Sequence, residues 1–394
     1  MIEFDERPAQ VGTNIKVIGV GGAGGNAINT MIRNELGGVE FIAANTDADD
    51  LTKSKAKMKM QLGKKLTRGL GTGANPETGS RSAEESKDEI KSHLEGADMI
   101  FLAAGMGGGT GTGATPIIAK IAREMGILTL GIVTTPFPFE GHKRAENADH
   151  GIRHLSEYVD TLIVIPNEKL CEIYGNAPLM TAFNNADDVL YEAAKAVSDI
   201  ITITGLINVD FADVKSVMQN MGYALMGTGV AEGDSRAINA ARAAIDNPLL
   251  TDISLTGCQS LLLNITAGED ILMSEIEEVS NVIVNETGRG ANIIMGVIMD
   301  ESMAGKISVT LIATGLDKNE QTSDLLDFPK FNPNNITETD AQTTNPNDEI
   351  GKILKTLGIN SQSNEEKQTS GNADDPTRIK PMRTDVPSFL KALD

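Results

Sequence analysis

From Gly105 to Gly113 the chain reads GMGGGTGTG: six glycines in nine positions, two threonines (Thr110 and Thr112) and no lysine. Glycine costs backbone entropy wherever it sits, so such a run implies a backbone approach that a side chain would block. The run follows an apolar strand, ADMIFLAAG, and leads into a helical pattern expected to start near Ala114. Strand, glycine loop and helix are the unit of a parallel α/β sheet. Consecutive N–H groups in the loop form an anion nest, and the helix N-terminus adds partial positive charge.

A second loop, GVGGAGGN at 19–26, repeats the arrangement after the strand IKVIGV and before the helix NAINTMIRN. Gly19, Gly21 and Gly24 spell G-x-G-x-x-G, and Asp47 lies about where a dinucleotide fold places its ribose ligand. On this loop alone the chain reads as an NAD-dependent oxidoreductase. Two phosphate loops suit a longer phosphate chain. No G-x-x-x-x-G-K-[ST] occurs, which excludes a P-loop NTPase. N–H dipoles and a metal ion would then neutralise the phosphates.

The strands EFIAANTD, ILTLGIVTTP and DTLIVIPN extend the β-α-β series, a mainly parallel sheet covered on both faces. Residues 14–177 read as a Rossmann-like nucleotide-binding domain after a short extension, 1–13. From Pro178 to about Thr202 runs a long helix, with apolar residues at steps of three and four from Leu179 to Ile200. It opens a central helix and loop segment, 178–220. SLLLNITAG, NIIMGVIMD and ISVTLIATG are strands of a smaller α+β domain at 221–316, with helices near 234–246 and 270–287. Residues 317–377 shift to Asn, Thr, Asp, Ser, Gln and Glu and read as a disordered linker before a terminal peptide, 378–394.

Net charge is −21, which disfavours bulk binding to nucleic acid or an anionic membrane. Two distant cysteines, Cys171 and Cys258, argue for a reducing compartment, and no signal peptide or membrane span is expected. The four histidines form no metal-ligand pattern.

GGGTGTG resembles the signature of the tubulin superfamily. GVGGAGGNAIN, TRGLGTGANPE, TPFPFEGHKR, IPNEKL, AFNNADDVL and NVDFADV follow in the order and spacing of its bacterial cell-division branch. The resemblance implies a GTPase that polymerises head to tail into the division ring, cytoplasmic and at midcell, using GTP/GDP and Mg²⁺. By this resemblance Gly21, Gly22, Ala23, Gly24, Gly25, Asn26 and Gly108, Gly109, Thr110, Gly111, Thr112 wrap the phosphates. Thr72, Gly73 and Ala74 offer N–H groups to the γ-phosphate; the family commonly has alanine where Thr72 stands. Asn45 and Asp47 lie near Mg²⁺. Glu140 and Arg144 contact ribose and phosphate, although their spacing also suits a solvated i,i+4 ion pair. Asn26, Asn167, Phe183 and Asp187 read the base. Phe183 and Asp187 share a helix face. A carboxylate there accepts from guanine N1–H and the exocyclic amine, a donor pair that adenine lacks. Asp188, one step on, should face elsewhere.

Asn208, Asp210 and Asp213 are the candidate catalytic residues. They lie beyond the end of a helix about 36 Å long, whereas Phe183 and Asp187 lie near its start. The acids are therefore expected to act on the neighbouring molecule's nucleotide, across a heterologous contact that builds an open filament. In the tail, Val386, Phe389, Leu390 and Leu393 form one apolar face, with Asp385 and Pro387 at a helix start. Ten residues are too few for a stable isolated helix, so folding on a partner groove is expected. The resemblance implies membrane-tethering and regulatory division proteins as partners. A tubulin-fold module that binds GTP without assembling is the remaining alternative.

Overall fold

The apolar runs of the sequence pair into one ten-stranded sheet. The computed structural model describes residues 12–174, 178–250, 255–288 and 290–316. In chain order the first half comprises β1 (Ile15–Val20), α1 (Gly21–Arg33), β2 (Val39–Asn45), α2 (Ala48–Lys53), β3 (Met58–Gln61), α3 (Lys64–Thr67), α4 (Pro76–Glu85), α5 (Lys87–Leu94), β4 (Met99–Gly105), α6 (Thr110–Glu124), β5 (Leu128–Thr134), α7 (His142–Ser156), β6 (Thr161–Ile165) and α8 (Asn167–Tyr174). Then follow α9 (Leu179–Thr202), α10 (Phe211–Met218), β7 (Gly222–Glu232), α11 (Arg236–Ile245), β8 (Ser260–Ala267), α12 (Met273–Thr287), β9 (Asn292–Met299) and β10 (Lys306–Thr314).

The strand order is β3-β2-β1-β4-β5-β6-β7-β10-β8-β9. Every pair from β3 to β7 is parallel, whereas β10 runs antiparallel to both β7 and β8. Strand direction fixes where a ligand enters. Chain progress reverses between β1 and β4, and the crevice of an open α/β sheet lies at such a switch point, beyond the strands' carboxyl ends. Both glycine loops leave the sheet there.

Period-two alternation sorts each central strand onto two faces. In β4, Met99, Phe101 and Ala103 pack with α1 and α9, and Ile100, Leu102 and Ala104 pack with α4 and α6. A third cluster fills the space between β7–β10 and helices α11 and α12. The long helix spans Leu179–Thr202, as its periodicity requires.

Two features depart from the sequence reading. Helices α1 and α6 begin at Gly21 and Thr110, several residues before Asn26 and Ala114, so much of each glycine run is the helix's first turn. Strand β7 carries no clear strand signal because glycine interrupts GYALMGTGVAE. The glycines are there for α11: a Cβ on Gly227 would lie 2.1 Å from the Ala244 carbonyl oxygen, and one on Gly229 would lie 2.3 Å from that of Ala240. The alanines of α11 thus rest directly on the strand backbone.

Candidate functional site

Packing around the glycine loops answers what their missing side chains allow. Cβ atoms on Gly19, Gly24 and Gly111 would fall 2.2 to 2.5 Å from the carbonyl oxygens of Gly24, Ala103 and Gly105 respectively. One on Gly113 would fall 1.9 Å from the Pro76 carbonyl oxygen. These glycines let strand ends, helix starts and the 72–80 segment touch through backbone. Gly25 and Gly108 instead face open space.

That packing brings the starts of α1 and α6 to the rim of one cleft of about 970 Å³. Neither helix has a side-chain N-cap, whereas Asp47, Asn75 and Asp210 cap α2, α4 and α10. The first N–H groups of a helix have no partner within it, and here they border the cleft beside Gly22, Ala23, Gly109 and Gly111. An anion is the ligand such an end accepts. Gly73 and Ala74 close the cleft on one side with φ of +60° and +59°. For alanine that conformation is strained, and strain of this kind concentrates at ligand clamps. A Cβ on Gly109 would lie 2.0 Å from the Thr72 Oγ1, so the Thr72 hydroxyl lies against the glycine loop that opens α6.

Helices α1 and α9 flank the other end of the cleft. From α9 come Phe183, Asn184 and Asp187; from α1 come Asn26, Asn29, Thr30 and Arg33. The Phe183 ring is 40% exposed and stands nearly perpendicular to the Phe137 ring, with centroids 5.1 Å apart. Burial pushes the Asp187 carboxyl up to about 7; Asp188 adds to the rise and Arg33 opposes it. Asp188 is exposed and does not line the cleft. Asn167 is a buried residue of the cleft lining, and its Oδ1 has no hydrogen-bond partner. A buried acceptor without a partner is costly, and a bound donor relieves that cost.

Glu140 and Arg144 border the cleft and form the i,i+4 ion pair with each other; Glu140 also accepts from Phe137 N at 2.9 Å. Asn45 and Asp47 line it too. Asp47 Oδ1 accepts from the N–H groups of Asp49 and Asp50 at 2.9 and 3.3 Å, capping α2. Among the described residues no group of three or more His, Cys, Asp or Glu side chains is arranged to hold a metal. Three of the glycine-loop residues stand behind the cleft wall. Gly24 packs on β4, Gly25 borders a smaller cavity of about 140 Å³, and the Thr112 hydroxyl accepts from Gly107 N at 2.9 Å. Thr30 and Arg33 were not singled out from sequence, although Asn26, Thr30 and Arg33 at i, i+4 and i+7 form a polar stripe on one helix face.

Asn208, Asp210 and Asp213 are absent from the cleft lining and lie exposed beyond α9. Asp210 caps α10 by accepting from Asp213 N at 2.8 Å, and Asn208 Oδ1 accepts from Gly205 N at 2.8 Å. Leu206 (64% exposed) stands among them.

Two glycine loops at a switch point, a polar cleft against a long central helix, and a following α+β unit define a tubulin-fold GTPase. The GTPase domain of the Tubulin/FtsZ family matches residues 14–175, and the C-terminal domain of the FtsZ family matches 222–317. Cell division protein FtsZ of Pseudomonas aeruginosa is 47% identical over 99% of both chains. The chain belongs to the FtsZ family. Among solved structures, an empty FtsZ dimer from M. jannaschii is 44% identical with a TM-score of 0.75, over 78% of this chain and 90% of that one. A GTPγS-bound protofilament of CetZ2 from Haloferax volcanii shares the fold at 22% identity, with a TM-score of 0.68 over 80% and 96% of the two chains.

Proposed function

We infer that this protein is a GTP-dependent, polymerising GTPase of cell division in which each subunit's Asn208, Asp210 and Asp213 complete the site of its neighbour. The separation carries the reading: the uncapped starts of α1 and α6 and the Phe183–Asp187 face border the cleft, and the exposed acids stand beyond a helix of 24 residues. A head-to-tail contact places the acid loop over the γ-phosphate end of the next cleft. Asp210 and Asp213 then polarise the attacking water, with Asn208 beside them through its amide nitrogen, since its Oδ1 is engaged by Gly205. The N–H groups of Gly22, Gly108, Gly109 and Ala74 hold the phosphates as charge moves onto them. Asn45 and Asp47, which line the cleft, would stand near a Mg²⁺ ion, which would supply further positive charge to the phosphates. Asp187, Asn26 and Asn167 hold the guanine edge under the Phe183 ring.

The uncapped starts of both α1 and α6 favour a nucleoside triphosphate over the dinucleotide of an oxidoreductase, which needs one such loop. The exposed acids argue against a module that binds GTP without assembling. With purified protein, GTP and Mg²⁺, light scattering and phosphate release are expected to rise together above one critical protein concentration. Phosphate release independent of concentration sinks the assembly-coupled reading.

Among the described residues no helix is long and apolar enough to cross a membrane. The linker and terminal peptide lie outside the described residues. In this reading the protein works in the cytoplasm at the division site, and the peptide at 385–394 supplies the docking face for tethering and regulatory proteins. Removal of 385–394 is expected to leave assembly and hydrolysis of the purified protein intact while abolishing recruitment to the division site, followed with a fluorescent fusion. Loss of assembly in vitro overturns that role.

A further inference from the structure

The acid loop is fastened at three points, and one of them is a strand edge that contributes nothing to the cleft lining. Strand β9 ends the sheet and pairs on one side with β8. On its other side Val297 carries a short antiparallel bridge to the loop after α9. Leu206 N donates to the Val297 carbonyl at 2.8 Å, and Val297 N donates to the Ile207 carbonyl at 3.2 Å. Val209 is buried, its side chain beside Gly296. Asp210 then caps α10. The carboxylates of Asp210 and Asp213 are thus presented just after a segment laid against the C-terminal domain's edge strand.

Gly205 begins this segment. Its φ lies outside the left-handed region, so its backbone conformation suits any residue. Space is what it lacks: a Cβ would lie 2.2 Å from the Val297 carbonyl oxygen and 3.1 Å from its carbon. Both are backbone atoms of a strand held by its own ladder and cannot swing aside as a side-chain end does. The Gly205 N–H meanwhile holds Asn208 Oδ1 at 2.8 Å, so displacement of residue 205 displaces Asn208 as well.

We propose that Gly205 is a positioning residue for hydrolysis: its bare backbone, seated on Val297 of β9, sets where the acid loop meets the neighbouring subunit's nucleotide. The proposal rests on the composite-site reading above. It follows that the C-terminal domain takes part in catalysis by holding the loop on its edge strand. The aperture has no room for a side chain, although Gly205 is not part of the cleft lining.

The test is Gly205→Ala, with Gly37→Ala as a control at an exposed glycine that has nothing within 4 Å of its would-be Cβ. Gly205→Ala is expected to bind GTP as a monomer like the parent, which also reports that it folds. Its turnover number should fall about a hundredfold, the effect of an ångström-scale misplacement, while the nucleotide concentration for half-maximal rate stays put. Co-sedimented with Asp187→Ala, whose acid loop is intact, it should regain hydrolysis; co-sedimented with Asp213→Ala, it should not. Parental turnover in Gly205→Ala overturns the proposal, as do lost monomer binding or a co-sedimenting Asp187→Ala mixture that stays inactive. Parental turnover in Asp213→Ala instead removes the composite-site reading beneath it.

Discussion

Asp213→Ala is expected to bind GTP as tightly as the parent protein and to form filaments that hardly turn over. Asp213 is exposed, lies outside the cleft lining, and follows a helix of 24 residues whose first half lines the cleft. Nothing in its own subunit's nucleotide site is lost with it. Loss of a group that positions or deprotonates the attacking water costs about a hundredfold or more in rate. Asp213 is a cleaner choice than Asp210. The Asp210 carboxylate accepts the Asp213 N–H and caps α10, so its removal also costs about 1 kcal/mol of stability. The Asp213 side chain contributes only a first-turn charge, worth about 0.3–1 kcal/mol. Phosphate release should recover when Asp213→Ala is co-assembled with Asp187→Ala, because some junctions then join a filled cleft to an intact loop. Release at the parental rate by Asp213→Ala alone, or lost nucleotide binding in its monomer, contradicts a site shared between subunits.

Asp187→Ala should weaken GTP strongly and ATP little. A charged carboxylate accepting from two guanine N–H groups contributes about 1.5–3 kcal/mol per hydrogen bond, and adenine presents no such pair. Competition binding with both nucleotides measures the difference; equal losses place the base elsewhere. The same residue makes binding depend on pH. Its carboxyl is raised to about 7 by burial in the nucleotide-free protein, and only the ionised form accepts both donors. Affinity for guanosine, which carries no titrating phosphate, should therefore be full above about pH 7. Below that it should fall by up to about tenfold per pH unit. The sign for stability is opposite in sense. The folded state holds this proton more tightly than the unfolded chain, so the contribution of Asp187 to nucleotide-free stability is present at low pH. It is lost as pH rises from about 4 through 7. Guanosine affinity that is flat from pH 6 to 8 contradicts the proposed ionisation.

Local spacing settled much of this in advance. The buried strands, the two glycine loops, the helix at 179–202 and the common face of Phe183 and Asp187 each follow from a run of fewer than about 25 residues read at period 2 or 3.6. The distance between the Phe183–Asp187 face and the acid loop follows as well, since a helix is a ruler of about 1.5 Å per residue. What the sequence left open depends on backbone meeting backbone across long chain separations, which leaves no trace in side-chain periodicity. It could not separate glycines that face the cleft, such as Gly108, from those that seat one segment on another, such as Gly113 on Pro76. Strand β7 was illegible because the feature that makes it work, a bare surface under the alanines of α11, looks like broken strand propensity. The turn of the Thr72 hydroxyl toward Gly109, the stripe of Thr30 and Arg33 beside Asp187, and the seat of Gly205 on β9 were likewise decided only when distant segments packed. Residue spacing determines which groups share a face; only the tertiary structure determines what that face meets.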